Sequence, residues 1–547
     1  MKIFITPVAE RKIVGGALLF LFFFLFSIPA LHYAASGNSY YADVPTAEGL
    51  ALHKGEKLYD LASETSHTAP SLYGPISKLA SWLFISFALA APNPKLALSL
   101  LNLLAHLTGI ALFGLFFLRF LRTLPLDETR RLFIFAAAAL GFSDTLTILY
   151  NAQNQSIFVL LFFHIYFLFY AARNPNLRTA LLSNVSFAVL VGMKISFLVF
   201  LFPQALAIFE LMKYSRRAAV ISTVHLCALL AILYLISAAF IGPDVFHYNF
   251  AIQSKHPLSV PQLGMLLYFL PQLTAIIIII PLLLCLQAYL TAGNGPDCSL
   301  EDFAARIAGR NEIERRITRM LVLAFLCSFV TGVLSFVKVG GVYSGFAWPV
   351  LAAVFLTTVL LSRFSEGSET RTRWLYLVAA IAMIAFMPYV ATPLIKEPLK
   401  RIHNKNWGKD GDVKLIRDEG MFSLSTQGDV LAYFEATGRV APLLDYESEL
   451  DFYYTARHRL AAGIPNTMYS ASKQSLSGPN IKAKILEPLL NAHQQVIRIP
   501  DAGRIRGEES ALLRSLIEKR GYRLSETRGE DLIFRKPSGK TGGHTIS

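Results

Sequence analysis

The side chains best suited to chemistry lie in one polar stretch and at two isolated lysines. The stretch NSYYADVPTAEGLALHKGEKLYD, residues 38–60, carries Asp43 and Glu48 directly after a long apolar segment. Carboxylates can take up a proton from a reacting hydroxyl group. Lys194 and Lys338 each lie at the end of an apolar run, and their ammonium groups can bind an anion. Whether these residues form a site depends on the elements that position them.

The composition identifies a membrane protein. Hydrophobic residues make up 54% of the 547 residues and the mean hydropathy is +0.47, far above the usage of soluble proteins. Apolar runs recur along the first three-quarters of the chain, and runs of about 18 residues or more can cross a bilayer core of roughly 30 Å. The net charge of +14 is then explained by basic cytoplasmic loops, and no nucleic-acid partner is expected.

The distribution of basic residues orients the predicted spans. Lys2, Arg11 and Lys12 precede the first apolar run, which predicts a cytoplasmic N-terminus and an exported loop at residues 32–75. The short apolar segment 76–91 is ambiguous. Only an interfacial position for it brings the later arginines to the cytoplasm, so we predict an in-plane helix there. Eleven spans follow from this choice, at residues 13–31, 96–118, 132–150, 155–172, 179–193, 195–212, 218–241, 264–290, 320–337, 345–362 and 374–393.

The chain after the last span is more polar and has a different pattern. Segments 495–500, 522–527 and 531–536 alternate like strands, and amphipathic helical segments lie among them. We therefore predict an α-helical polytopic membrane protein with two domains: a transmembrane domain at 1–394 and a small exterior α/β domain at 395–536. Residues 537–547 are expected to be a disordered tail, and the host membrane is expected to be the plasma membrane.

This topology gathers the polar loop and both lysines on the outer face. Lysines are scarce on that side, so Lys194 and Lys338 indicate an anion site, although each could equally be a lysine that snorkels to the interface. Asp144 lies inside predicted span 132–150, about six residues or roughly 9 Å from its outer end. An ionisable group at that depth indicates either a site residue or a partner of a polar neighbour.

Motifs on this face resemble those of GT-C glycosyltransferases. The acidic residue after the first span, the A..L..G..LYD run and YGP at 73–75 resemble the first outer loop of that superfamily. NAQNQS resembles the GQ.N corner of polyprenol-phosphate-sugar transferases, with Ala152 in place of the usual glycine. GMKISFLVFLFP resembles their KP..L corner, with Ile195 in place of proline.

Two later stretches extend the resemblance. KVGGVYSGFAWP is similar to the K.GG..NY loop of bacterial members, with Ser344 and Gly345 replacing the usual Asn-Tyr pair. YESELDFYYTARH, which begins at residue 446, looks like their sPelYyltgR segment. The motifs run in the same order as in the family and cover most of the chain.

The resemblance implies a GT-C fold and transfer of a sugar from a polyprenyl-phosphate donor to an exported glycan, lipid or protein. It implies that Asp43 is the general base; Asp144 is a second candidate acidic residue because of its depth in the predicted span, and not because of the resemblance. The implied substrate-binding residues are Lys194 and Lys338 on the donor phosphate, Gln153 and Asn154 as hydrogen-bond donors, and Glu48, Tyr73 and Tyr343. Membrane lipids are expected around the spans, and no cofactor is expected, since nothing in the sequence supports a divalent cation.

Other interpretations of the same residues stay open at this stage. Asp43 could be a solvated loop carboxylate, and Glu48 and His53 could be ordinary loop residues. A multi-span transporter or a lipid or polysaccharide flippase is the main functional alternative, although the inverted repeats common in transporters are not evident. A polymerase or ligase of exported polysaccharide would share the topology, but it would place Arg and His in a late outer loop.

Overall fold

The computed structural model describes fourteen helices and strands. The described residues are 43–55, 57–58, 74–126, 131, 134–135, 152–245, 263–264, 266–267, 300–337, 347–364, 496–499, 515, 518–519, 521–528 and 531–535. The helices are α1 Asp43–His53, α2 Pro75–Leu89, α3 Pro94–Arg122, α4 Ala152–Arg173, α5 Leu177–Met193, the 3₁₀ helix η1 Ile195–Phe200, α6 Leu201–Tyr214, α7 Arg216–Phe240, α8 Leu300–Ala308, α9 Glu312–Val337 and α10 Ala347–Phe364. The strands are β1 Val496–Ile499, β2 Arg523–Arg528 and β3 Asp531–Arg535.

The described part of the chain is mostly helical, and five of its helices are long and apolar enough to cross a membrane. These five are Leu96–Arg122, Ser156–Arg173, Ile195–Tyr214, Arg216–Phe240 and Glu312–Ser335. Large apolar side chains on α3 and α7 face outward: Leu104, Leu115, Val224 and Leu235 are each at least 60% exposed. An apolar exposed surface of this kind is what lipid contact requires. The chain is therefore a helical membrane-associated protein.

The predicted spans agree with the described helices. Seven of the predicted spans fall on α3, α4, α5, the continuous η1–α6 segment, α7, α9 and α10. Two of these helices, α5 and α10, are shorter apolar helices than the five candidates for crossing. The other four predicted spans, 13–31, 132–150, 264–290 and 374–393, lie wholly or almost wholly outside the described residues. The predicted segment 76–91 is a separate helix, α2.

Aromatic packing forms the core between α3, α4 and α10. The Phe113 and Phe162 rings lie 4.3 Å apart, Phe120 packs edge-on against Phe169 at 4.9 Å, and Phe120 also lies 4.7 Å from Phe355. Buried aromatic pairs at these distances add about 0.5–1.5 kcal/mol each beyond the burial of their area. This cluster fixes α3 and α10 against α4.

Two antiparallel hairpins place the polar residues. Residues 174–176 join α4 to α5, and Asn176 caps α5 by accepting a hydrogen bond from the backbone N–H of Thr179 at 3.0 Å. The chain reverses again after α5, because Ser183 of α5 donates to Gln204 of α6 at 2.7 Å, and Ala180 packs with Leu211. The start of α4, the end of α5 and the start of η1 therefore lie at the same end of the helices.

The opposite end of these helices, here called the basic end, carries paired arginines and lysines. Arg173 donates to the Thr123 carbonyl at 2.6 Å, and Arg316 donates to the Tyr214 hydroxyl. Arg363 is nearly buried and donates to the carbonyls of Arg306 and Ile307, at the end of α8. The Arg363 contacts satisfy final carbonyl groups of α8, which no residue of the same helix can satisfy.

Three strands form a small antiparallel sheet in the order β1–β3–β2. Val496 pairs with Arg535 on one side of β3, and Leu524 pairs with Phe534 on the other. All three strands occur where alternation predicts them, at 495–500, 522–527 and 531–536. The helical segments predicted beside them lie almost entirely outside the described residues, so the α/β domain at 395–536 and the tail at 537–547 stay predictions.

The chain divides into two compact units. One contains α4, α5, η1, α6, α8, α9 and α10 with most of α3 and α7. The other contains α1, α2 and the three strands.

Candidate functional site

Lys194 stands at the tip of the α5–α6 hairpin. Helix α5 ends at Met193, η1 begins at Ile195, and Lys194 between them has an extended backbone with φ −154° and ψ 116°. Its backbone N–H donates to the Leu190 carbonyl at 3.0 Å, which closes the last turn of α5. The corner predicted between spans 179–193 and 195–212 is therefore confirmed.

The side chain of Lys194 is held over an indole ring. Its Nζ lies 4.6 Å from the ring centroid of Trp348, which is fully buried in the first turn of α10. Phe197 packs edge-on against the same indole, with ring centroids 4.9 Å apart. A cation–π contact of this kind positions an ammonium group over the face of the ring. The arrangement therefore fixes a positive charge at this end of the helices.

Two buried hydrogen-bonding groups belong to residues near Lys194: Trp348, whose ring lies under the Lys194 ammonium group, and Ser196, two residues later in the chain. Within the described part of the chain, neither Trp348 Nε1 nor Ser196 Oγ has a hydrogen-bond partner. Contacts with α9 hold the backbone around Ser196, since Thr331 Oγ1 lies 3.5 Å from the Ser196 carbonyl and Cys327 Sγ lies 3.4 Å from the Val199 carbonyl. Buried polar groups in folded proteins are nearly always hydrogen-bonded, so this pair needs an explanation.

Gln153 and Asn154 lie in the first turn of α4, and only their backbone is described. Because α4 and α5 form an antiparallel hairpin, that turn and Lys194 occur at the same end of it. Three of the predicted substrate-binding residues therefore share one end of the bundle, away from the basic end.

The predicted catalytic loop contains helix α1, which packs against α2. Asp43 is the first residue of α1, and its side chain lies outside the described residues. Glu48, one and a half turns later, is fully buried and accepts a hydrogen bond from Lys78 of α2 at 2.5 Å. The interpretation of Glu48 as loop surface is therefore wrong. The substrate-binding role of Glu48 stays a prediction.

Burial and charge act in opposite directions on Lys78. Removal from water lowers the pKa of Lys78, whereas the Glu48 carboxylate beside it raises that pKa through its charge and its hydrogen bond; the net result is a lowered pKa. A buried ion pair of this kind fixes the relative position of two elements, and the loss of one partner is costly.

Close backbone packing accompanies the ion pair. A Cβ atom added at Gly49 would lie 2.7 Å from the Ser81 carbonyl oxygen and 2.8 Å from Ile85 Cγ1. Only glycine lets α1 approach α2 this closely. His53, the last residue of α1, has an exposed side chain whose Nδ1 lies 3.0 Å from Ser86 Oγ, so α1 and α2 are held together at three levels.

Four of the predicted site residues cannot be placed. Asp144, Lys338, Tyr73 and Tyr343 lie outside the described residues. Among the described residues, no group of three or more His, Cys, Asp or Glu side chains could hold a metal ion.

A polar network crosses the interior of the hairpins. Gln204 donates to Asn184 Oδ1 at 2.5 Å, and Asn184 donates to the Ser222 carbonyl at 2.7 Å, which links α5, α6 and α7. His164 of α4 joins through Ser186 at 3.0 Å. Interhelical hydrogen bonds of this kind contribute about 0.6–2 kcal/mol each to helix association in membranes. These amide groups satisfy one another, as residues that hold helices together do.

The sequence interpretation missed Lys78, Gly49, Ser196 and Trp348. Lys78 had a visible signal, because it is the only charged residue in the apolar segment PISKLASWLFISFAL. Ser196 and Trp348 had none, since a serine and a tryptophan at the ends of apolar runs are common in membrane helices.

No known family model matches the chain, and no curated protein matches it in sequence.

Proposed function

We propose that this protein is an integral-membrane glycosyltransferase that moves a sugar from a polyprenyl-phosphate donor to an exported acceptor. The acceptor is a glycan, a lipid or a protein at the outer face of the plasma membrane. The reaction has three requirements: a base for the acceptor hydroxyl, a cation for the leaving phosphate, and a site at the membrane surface. The fold would be of the GT-C type, with eleven spans.

The observation that carries the proposal is the position of Lys194. A lysine fixed over a buried indole, at the end of the bundle opposite the basic end, is suited to hold a phosphate group at the membrane surface. The charge on the leaving phosphate grows as the glycosidic bond breaks, so a preorganised ammonium group stabilises the transition state. Gln153 and Asn154, at the same end, would supply hydrogen bonds to the phosphate or to the sugar.

The first loop would supply the base. In this proposal Asp43 takes the proton of the acceptor hydroxyl as that oxygen attacks the anomeric carbon. Helix α2 has 15 residues, or about 22 Å at 1.5 Å per residue, which is short for a bilayer core of roughly 30 Å. Its Trp82, Leu83 and Phe87 are exposed. A short helix with an exposed apolar surface supports an interfacial α2, which would hold α1 at the membrane surface.

Lipid-linked sugars in a strain lacking the protein test the proposal. We expect an accumulated polyprenyl-phosphate sugar, because the donor is no longer consumed. The wild-type gene should remove it, and Lys194→Met should not.

The matched control is Lys213→Met. Lys213 also carries a cation–π contact, with its Nζ 5.2 Å from the Phe209 ring, but it lies at the basic end and pairs with Glu210 at 2.9 Å. The control should restore transfer. A deletion strain with unchanged lipid-linked sugars, and a transport defect instead, would favour the transporter or flippase alternative.

A further inference from the structure

We infer that Trp348 Nε1 and Ser196 Oγ, together with Lys194 Nζ, form a binding site for a phosphate group. The inference names two ligand-binding residues that sequence motifs do not indicate. It rests on the proposed function only for the source of the phosphate, a polyprenyl phosphate, and not for the site itself.

The first argument is the state of the two groups. Trp348 is fully buried, and both its indole N–H and the Ser196 hydroxyl lack a hydrogen-bond partner among the described residues. A buried polar group without a partner costs roughly 1–3 kcal/mol. The two groups, one on the indole under Lys194 and one on Ser196 two residues later, are explained if both donate to a ligand that is bound in the working protein.

The second argument is the type of the groups. An indole N–H can only donate a hydrogen bond, and an ammonium group only donates. A ligand shared by Trp348 and Lys194 must therefore offer acceptor oxygens and carry negative charge. Phosphate oxygens meet both conditions, and the Ser196 hydroxyl can donate to the same group.

The third argument is rigidity. The indole is fixed by the edge-on contact with Phe197 and by its burial in α10. Helix η1 is fixed by contacts with Thr331 and Cys327 of α9. Lys194 sits where α5 gives way to η1, so its position is set by two helices and not by a mobile loop. The site is therefore largely formed before the ligand arrives, which lowers the ordering cost of binding.

The test measures ligand binding to the purified full-length protein in a phosphate-free detergent, without any acceptor. Calorimetry with farnesyl phosphate, inorganic phosphate and farnesol separates the contributions of the lipid and of the phosphate. We expect farnesyl phosphate to bind and farnesol not to bind. Ser196→Ala and Trp348→Phe should each lower the affinity for farnesyl phosphate by about tenfold or more, which is the loss expected for a hydrogen bond to a charged group.

Ser183→Ala is the matched control for Ser196→Ala. The Ser183 hydroxyl is buried as well, but it donates to Gln204 at 2.7 Å. Removing it should lower thermal stability and leave farnesyl phosphate binding unchanged. Ser196→Ala should leave thermal stability unchanged and weaken farnesyl phosphate binding, because the Ser196 hydroxyl has no hydrogen-bond partner in the described protein to lose.

The outcomes separate this inference from the proposed function. Wild-type affinity in both Ser196→Ala and Trp348→Phe, or no binding of either phosphate compound to the wild-type protein, overturns the inference. Inorganic phosphate bound as tightly as farnesyl phosphate keeps the anion site but removes the lipid-linked donor as its ligand. Binding that follows the expected pattern in a protein that transfers no sugar supports the site and contradicts the glycosyltransferase.

Discussion

Two lysines of this protein, Lys78 and Lys194, occupy opposite chemical situations. Lys78 is fully buried between α1 and α2 and is hydrogen-bonded to the Glu48 carboxylate at 2.5 Å. Lys194 lies over the indole of Trp348, and neither the indole N–H nor the Ser196 hydroxyl has a hydrogen-bond partner in the described structure. The first lysine meets a carboxylate of its own protein, whereas the second lies over an aromatic face.

The difference separates a structural lysine from a candidate binding lysine. A buried ion pair fixes the two helices that it joins, and its loss should damage the fold. A lysine positioned by a cation–π contact contributes charge toward a ligand, and its loss should damage binding while the fold survives. Substitution of Lys78 should therefore lower stability, whereas substitution of Lys194 should weaken binding and leave stability unchanged.

The largest expected effect concerns Asp43, which begins α1, the helix that the Glu48–Lys78 pair holds against α2. Asp43→Asn keeps the size and hydrogen-bonding capacity of the side chain but removes its ability to take up a proton. If Asp43 is the general base, sugar transfer by the purified variant should fall by roughly 10²–10⁴. Farnesyl phosphate binding should stay at the wild-type level.

Glu301→Gln is the matched control for that change. It makes the same carboxylate-to-amide substitution on the exposed surface of α8, and it should leave transfer intact. Glu48→Gln is unsuitable as a control, because its carboxylate is buried against Lys78. Wild-type turnover in Asp43→Asn would remove Asp43 from the role of base. An equal loss in Asp144→Asn, with donor binding intact, would indicate that two acidic groups share the work.

The next largest effect is expected at Lys78. Lys78→Met leaves the buried Glu48 carboxylate without the Lys78 ammonium, which should cost about 3–5 kcal/mol of folding stability. The double variant Glu48→Leu/Lys78→Met should recover most of that loss, because it buries no charge at either position. Thermal unfolding in detergent measures both, and equal stability of Lys78→Met and the wild-type protein would contradict a structural role for the pair.

Lys194→Met should show the opposite pattern. The substitution keeps length and apolar bulk, so thermal stability should change little, but farnesyl phosphate binding should weaken by about 1.5–3 kcal/mol, the contribution of a charge-assisted contact. Lys213→Met, at the basic end, should bind as the wild-type protein does. Unchanged binding in Lys194→Met would indicate that Lys194 only snorkels to the membrane interface. The two lysines would then differ only in burial.

Helix positions could be predicted from the sequence because they depend on local patterns. A run of apolar residues long enough to cross a bilayer locates α3 and α7 to within a few residues, and alternation locates β2 and β3. The corner at Lys194 was visible for the same reason, since a lysine that interrupts a long apolar run must lie near an end of a helix.

The partners of the charged groups could not be predicted, because they depend on which helices pack together. Lys78 and Glu48 are 30 residues apart, and Trp348 comes from a helix that no local pattern places beside Lys194. Hydropathy reports that a helix lies in or on the membrane, but it carries no information on its neighbours. Glu48 was misjudged for that reason: its neighbours in the sequence are polar, while in the structure its side chain is buried between α1 and α2.

The smallest expected effect tests the close contact between α1 and α2 without changing any charge. Gly49→Ala adds a Cβ 2.7 Å from the Ser81 carbonyl oxygen, and because that neighbour is backbone, α1 and α2 must move apart. Overpacking of this kind costs about 1–3 kcal/mol, which the better helix propensity of alanine offsets by about 1 kcal/mol. A modest fall in melting temperature is therefore expected.

Gly109→Ala is the control for this change, because the nearest atoms to its added Cβ are the Val159 methyl groups at 3.9 Å. With no clash to relieve, Gly109→Ala should gain up to about 1 kcal/mol from helix propensity alone. Gly49→Ala should also lower sugar transfer more than donor binding, since it displaces the helix that Asp43 begins and leaves Lys194 unchanged. If both glycine variants were equally stable, α1 and α2 would not be in the close contact that the Glu48–Lys78 pair requires.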